Sequence, residues 1–174
     1  MSIESIKLAI RAIPDYPKKG ILFRDITTLL KDPETFSEII DIMAERYKDN
    51  PPTQIIGIES RGFIFGMVLA YKLGVGFVPI RKKGKLPYKT YEASYELEYG
   101  TAVVEVHTDA LTSDDKVVIV DDLLATGGTA VAAISLVEKF DAEVLGLDFV
   151  VELNSLNGRE RLQGYKINTV VDYE

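Results

Sequence analysis

The stretch VVIVDDLLATGGTA, residues 117–130, sets two adjacent carboxylates, Asp121 and Asp122, just ahead of a Thr-Gly-Gly-Thr turn. The residues before the acids, 117–120, are apolar and β-branched, the pattern of a strand buried on both faces. Those after the turn, TAVAAISLVEKF, read as a helix. Gly127 and Gly128 allow the backbone to approach a ligand and present consecutive N–H groups, the helix N-terminus adds positive potential, and Thr126 and Thr129 add hydroxyl donors. The loop Ala125, Thr126, Gly127, Gly128 and Thr129 therefore suits a monophosphate. It is not a Walker A loop, since no Gly-Lys-Ser/Thr follows, and it is not the G-x-G-x-x-G dinucleotide fingerprint. Carboxylates one strand end away are acceptors for vicinal hydroxyls, so cup and acids together describe a ribose 5-phosphate. The competing reading is a plain strand-to-helix turn with surface acids. Two acids at the end of a buried strand would be poorly placed without a partner, which favours the ligand.

Two further clusters could meet a second anionic group. ESRG, residues 59–62, sets Ser60 and Arg61 behind an apolar run ending at Ile58, and RKKGK, residues 81–85, supplies Arg81, Lys82, Lys83 and Lys85 behind one ending at Ile80. A basic run is more often a solvated face, but a second basic strand end and the phosphate cup tip the balance. The chain carries 20 Lys and Arg against 27 Asp and Glu, a net charge of −7, so any anion must be held by local cations and amides. That balance argues against nucleic acid or a membrane surface as partner. No cysteine and a single histidine, His107, rule out thiolate chemistry, disulfides, Cys-ligated zinc and a His cluster.

These residues need a scaffold, and at 174 residues with 47% apolar content the chain is expected to form one domain. Apolar spacing predicts a helix over about 2–12, ended by Pro14, then a Pro/Gly loop over 16–24. Asp32 as N-cap and Pro33 in the first turn open a helix over 33–48. Strands are expected at 54–58, 76–80, 102–106, 116–120 and 143–153, with helices over 62–74 and about 129–139. Strands apolar throughout, alternating with helices, point to an α/β fold with a largely parallel sheet and ligands beyond the carboxyl ends of its strands. Residues 81–100, RKKGKLPYKTYEASYELEYG, are too polar for the core and form a long surface excursion; such loops are usually functional. Its four tyrosines among acids suit a lid that excludes water, with a β-hairpin arm as a compatible alternative.

The signature resembles the phosphoribosyl-diphosphate motif of the type I phosphoribosyltransferases. The likeness runs on through FRDITTLLKDP (23–33), ESRGFIFG (59–66), IRKKGKLP (80–87), ASYELEYG (93–100) and VVELNSLNGRERL (150–162). It implies a single phosphoribosyltransferase domain over 1–174, with a mainly parallel twisted sheet flanked by helices, an N-terminal hood (about 1–33) and a flexible β-arm lid (about 81–100). By the resemblance, residues 125–129 hold the 5-phosphate and Asp121 and Asp122 the ribose hydroxyls. Ser60, Arg61, Arg81, Lys82 and Lys85 face the diphosphate, with Lys83 outside this set. Leu22, Phe23 and Arg24 of the hood line a purine with Leu153 on its other face, although Phe23 and Leu153 read alone are ordinary core residues. Glu98 is the loop acid at the reacting centre, able to take a proton from the purine, and Tyr99 is its neighbour.

The resemblance implies transfer of phosphoribosyl to adenine, giving AMP and diphosphate in purine salvage, with Mg2+ carried mainly by substrate oxygens rather than by a protein metal site. Relatives acting on 6-oxopurines have an acid at the position of Ala125 and a lysine at that of Gly128, which leaves adenine the better guess. Two alternatives stay open: a non-catalytic regulator that binds phosphoribosyl diphosphate, and a transferase for another nucleobase. The family implies a homodimer, to which Phe63 and Phe65 could belong if they are not core. His107 is expected to cap or pack near VVEV. The N-terminal segment lacks the apolar core of a signal peptide and no run reaches membrane-spanning length, so a cytoplasmic protein is expected.

Overall fold

The computed structural model describes residues 3–96 and 100–174. Helix α1 (Ile3–Ala9) leads into a two-stranded antiparallel ribbon of β1 (Arg11–Pro14) and β2 (Leu22–Asp25). A short helix α2 (Thr27–Leu30) precedes α3 (Pro33–Glu45), and alternation then begins: β3 (Gln54–Ile58), α4 (Arg61–Leu73), β4 (Gly76–Lys82). A hairpin of β5 (Thr90–Glu96) and β6 (Thr101–His107) follows, then β7 (Lys116–Leu124), α5 (Gly128–Glu138), β8 (Glu143–Leu153), two 3-10 turns (Asn154–Leu156 and Gly158–Leu162) and β9 (Ile167–Tyr173).

Seven strands form one sheet in the order β5-β6-β4-β3-β7-β8-β9. Strands β4, β3, β7, β8 and β9 pair in parallel, and β6 and β5 extend the β4 edge antiparallel. Successive side chains of a strand point to opposite faces, so each central strand feeds two cores. Ile56, Ile119, Leu147 and Phe149 pack beneath Ala133, Leu136 and Val137 of α5. Their neighbours Ile55, Val118 and Val150 pack against Ile39 and Met43 of α3, Phe65 and Leu69 of α4, and Ile6 of α1. This double covering explains why the central strands are apolar without alternation.

The structure departs from the sequence pattern at the N-terminus. Helix α1 stops at Ala9, where the Thr28 hydroxyl takes up the Ala9 carbonyl at 2.6 Å and accepts the Arg11 amide at 3.2 Å. Ile13, whose spacing continues the apolar stripe of the expected helix, pairs with Phe23 across the ribbon. Helix α3 starts as expected, its Asp32 cap accepting from the Glu34 amide at 3.3 Å and from the Thr35 hydroxyl. The surface excursion includes strand β5 in register with β6, from Thr90 opposite His107 to Glu96 opposite Thr101. Strand β7 continues through the acid pair to Leu124, past the residue-120 end that the apolar run suggested.

Among the described charged residues Asp148 is the most deeply buried. Asp148, 0% exposed, accepts from Tyr47 at 3.0 Å and Asn168 at 2.7 Å and lies 3.4 Å from the Arg46 guanidinium. Burial raises its carboxyl above the ordinary aspartate value, against the pull of Arg46. Such a group favours the fold fully below about pH 3.8 and loses that contribution as pH rises through its elevated value. Arg46→Met, which leaves the buried carboxyl without its cation, is expected to cost about 3 kcal/mol at pH 8. The loss should shrink toward acid pH, as read by urea unfolding across a pH series.

Candidate active site

The carboxyl ends of β3, β4, β7 and β8 meet at one edge of the parallel sheet, where Ser60, Arg61, Lys82, Asp121, Asp122 and residues 125–129 line two cavities. Residues 125–129 wrap from β7 into α5 around a cavity of about 70 Å³ floored by Leu124 and Phe149. Gly127 makes the turn possible, since its φ of +80° lies in the left-handed region that favours glycine. Its carbonyl accepts the Val131 amide at 3.0 Å and so starts the helix. The loop is braced from behind by a residue that the sequence reading passed over. A Cβ on Gly127 would lie 2.7 Å from the Gly158 carbonyl oxygen, and one on Gly158 would collide with the Ala125 carbonyl. The only trace of this in sequence is a glycine in the NGRERL run, which does not show which loop it touches.

The acids lie beside this cup. Asp122 is 5% exposed and pairs with Arg61, Nε to Oδ2 2.8 Å, and Asp121 Oδ1 accepts the Asp122 amide at 2.9 Å. Helix α4 reaches this point because Gly62 has no side chain: a Cβ there would come within 2.6 Å of the Val120 carbonyl oxygen and 3.0 Å of Asp121 Oδ1. Burial pushes the Asp121 carboxyl well above the usual aspartate range, and the charge of Asp122 adds to the rise. Burial also raises Asp122, opposed chiefly by Arg61.

A second cavity, of about 420 Å³, is lined by Ser60, Arg61, Lys82, Asp122 and Tyr95 and shares Asp121 and Thr129 with the cup. Glu59, which the sequence reading left unassigned, also lines it. Arg81 and Lys85, expected at the diphosphate, are not among the residues of this lining. The Arg81 guanidinium holds Glu59 at 3.2 Å and the Lys85 carbonyl at 3.2 Å, and the Lys85 and Leu86 amides converge on Glu105 Oε1 at 2.9 and 2.8 Å. Burial alone would raise the Glu105 carboxyl, but the amides of Leu86, Gly84 and Lys85 outweigh it and hold it below the ordinary value. Glu105 therefore fixes the basic turn. Lys83 points away, to Glu92 at 2.7 Å. The peptide between Glu59 and Ser60 is cis.

At the far side of the sheet edge, Leu153 ends β8 and pairs with Tyr173 of β9. The Arg24 guanidinium stacks 3.6 Å over the Tyr173 ring, so the ribbon leans on the strand next to Leu153. Phe23 meets Tyr16 edge to face at 5.2 Å, and Leu22 is 48% exposed.

The phosphoribosyl transferase domain family matches residues 25–171. The chain belongs to this family. It is 57% identical over 169 residues to the adenine phosphoribosyltransferase of Acetivibrio thermocellus, a match covering 97% of this chain and 99% of that one. The crystal structure of the adenine phosphoribosyltransferase from Thermoanaerobacter pseudethanolicus superimposes with a TM-score of 0.95 at 50% identity, over 99% of this chain and 100% of that one. The Saccharomyces cerevisiae enzyme, solved with adenine and an imino-altritol bisphosphate, gives 0.91 at 42% identity over 97% of each chain.

In this phosphoribosyltransferase the hairpin arm lies along α5. Tyr91 packs edge to face on Phe140 at 5.2 Å, and the Tyr95 ring comes within 3.6 Å of a Cβ placed on Gly128. Glu98 and Tyr99 lie outside the described residues. His107 serves the arm's base, its Nε2 accepting the Tyr88 amide at 3.4 Å. Among the described residues no group of three or more His, Cys, Asp or Glu side chains could hold a metal ion, and no helix is long and apolar enough to cross a membrane.

The raised carboxyl of Asp121 has a measurable sign. It favours the folded state fully below about pH 3.8 and withdraws that contribution as pH climbs through its elevated value. Asp121→Asn is therefore expected to stabilise the transferase by about 1 kcal/mol at pH 8 while reducing activity. The gain should vanish near pH 4, as read by denaturant unfolding at both pH values.

Proposed function

We propose that the protein transfers the 5-phosphoribosyl group from 5-phospho-α-D-ribose 1-diphosphate to adenine, giving AMP and diphosphate, a purine salvage reaction. One observation carries this reading: the phosphate cup and the cation-lined cavity share a wall at Asp121 and Thr129. A sugar with an anionic group at each end fits that pair of spaces. In this reading residues 125–129 hold the 5-phosphate, Asp121 and Asp122 the ribose hydroxyls, and Ser60, Arg61 and Lys82 the diphosphate, with Arg81 and Lys85 behind them. Leu22, Phe23, Arg24 and Leu153 enclose adenine in a flat slot. The relatives' names and the adenine complex of the yeast enzyme support this base.

In the reaction, adenine N9 forms a bond to C1 of the ribose as the bond from C1 to the diphosphate oxygen breaks, with inversion at carbon. The electron pair leaves on the diphosphate, where Arg61 and Lys82 meet the growing charge. The N9 proton passes to the Glu98 carboxylate, with Tyr99 beside it. Asp121 and Asp122 line the cavity between the two anionic ends, and Arg61 already engages Asp122. That donor set suits an Mg2+ ion that would be held mainly by substrate oxygens, with Asp121 and Asp122 as the protein carboxylates that would assist. When bound, such an ion would offset diphosphate charge and orient it for departure.

Helix α4 exposes Ile64, Met67 and Tyr71 on one face, at 39%, 55% and 88%, while Phe65 is core and Phe63 packs on Phe77. We assign that face to a second copy of the chain in a homodimer. The site is assigned to the cytoplasm, because its charged substrates do not cross a bilayer unaided.

Incubation with phosphoribosyl diphosphate, Mg2+ and each nucleobase in turn tests the reading. Nucleotide is expected from adenine and little from hypoxanthine, guanine or pyrimidines; product from none would favour a non-catalytic binder, and product from another base alone would move the specificity. Glu98→Gln is expected to lower kcat by about a hundredfold. Unchanged turnover and affinity in that variant would remove Glu98 from proton transfer.

A further inference from the structure

We propose that Glu59 is a positioning residue for the diphosphate half of the substrate. The inference rests on the transferase reading above and concerns a residue that takes no part in the chemistry itself. Glu59 follows β3 directly, and its amide donates to the Ile80 carbonyl at 2.9 Å, which ties it to the neighbouring strand β4. Its carboxylate then reaches the basic turn beyond β4. One oxygen accepts the Lys82 amide at 2.9 Å and Arg81 Nε at 3.2 Å, and the other lies 3.5 Å from the second Arg81 nitrogen. The next two residues in sequence are Ser60 and Arg61, which line the cavity together with Lys82. One side chain therefore couples the two cationic strand ends that must grip the same diphosphate.

The charges give this coupling its purpose. Arg61 and Lys82 line one cavity, and Arg81 adjoins Lys82 in the chain, so the three cations repel one another, the more strongly where water is scarce. Each arginine carries a carboxylate of its own: Asp122 at 2.8 Å from Arg61, and Glu59 at 3.2 Å from Arg81. The Glu59 side chain is 15% exposed and that of Arg81 33%, so the pair is shielded more than a surface bridge. Burial works to raise the Glu59 carboxyl, but the Lys82 amide and Arg81 outweigh it and keep the carboxylate ionised at neutral pH. A charged acceptor bonded to a backbone amide and a guanidinium at once sets both position and orientation of the arm. The Lys82 side chain then reaches the cavity from a fixed backbone.

Glu59→Gln keeps the length and one acceptor oxygen and removes the charge. The probe is diphosphate with Mg2+, titrated calorimetrically, alongside steady-state kinetics. Positioning predicts diphosphate binding and the KM for phosphoribosyl diphosphate weakened about tenfold, or about 1.4 kcal/mol. The KM for adenine should stay within about twofold and kcat should fall less than the affinity. Glu59→Asp, which keeps the charge but withdraws it by one methylene, should lose about threefold and supplies the test if the glutamine variant fails to fold. In the Glu59→Gln, Arg81→Gln pair the double variant should bind diphosphate no worse than Arg81→Gln alone, because the carboxylate acts through the arm. A folded Glu59→Gln protein with unchanged diphosphate affinity, or one whose adenine and phosphoribosyl-diphosphate KM values rise together, would overturn the proposal. If the wild type fails to bind diphosphate, the transferase reading falls first. Equal binding by wild type and variant sinks the Glu59 assignment alone.

Discussion

The whole site hangs on one electrostatic arrangement: two adjacent carboxylates held at the carboxyl end of a central strand with a single guanidinium against them. Burying charge is expensive unless it is paired, and the Arg61 contact at 2.8 Å is what makes Asp122 tolerable at 5% exposure. That contact in turn requires α4 to begin hard against β7, which only a glycine at position 62 permits. The glycine, the arginine and the acid thus form one constraint. It places the start of one helix, the end of one strand and the wall of two cavities at the same point.

Stability and function pull in opposite directions there. Both carboxyls are raised by burial, so the native state carries a cost at neutral pH that a neutral side chain would not impose. The rest of the sheet edge looks different. Glu59 and Glu105 are also partly or fully buried, yet backbone amides and Arg81 hold them below their ordinary values. Carboxylates that shape the turns are satisfied by the protein, and the pair at the end of β7 is satisfied only in part. That contrast sets the acid pair apart from the scaffold acids better than burial alone.

Much of this was legible in the residues themselves. Apolar runs marked β3, β4, β6, β7 and β8, and the acid pair with its glycine turn marked the cup, because local pattern and chemistry coincide there. Strand β9 and the ribbon escaped: INTVVDY is too polar on its outer face to stand out, and Ile13 fits a helical stripe as well as a strand. The bracing by Gly158 and the arm held by Glu105 were invisible, since both depend on contacts between residues about 20 or more apart, such as the Glu105 bonds to Lys85 and Leu86. Arg81 was readable as a cation but not as one whose guanidinium is already committed to Glu59. Charge type comes from sequence, whereas which partner claims a charge comes from the fold.

Among the described residues the N-terminal ribbon pairs only with itself and forms no ladder with the seven-stranded sheet. Its attachment is by side-chain stacking, Arg24 on Tyr173, and by the Thr28 bonds that close α1. Such a piece behaves as a cassette. Its residues can diverge without re-registering a single strand of the seven-stranded sheet. A lineage could therefore revise this early segment codon by codon, a far shorter evolutionary path than rebuilding a sheet edge.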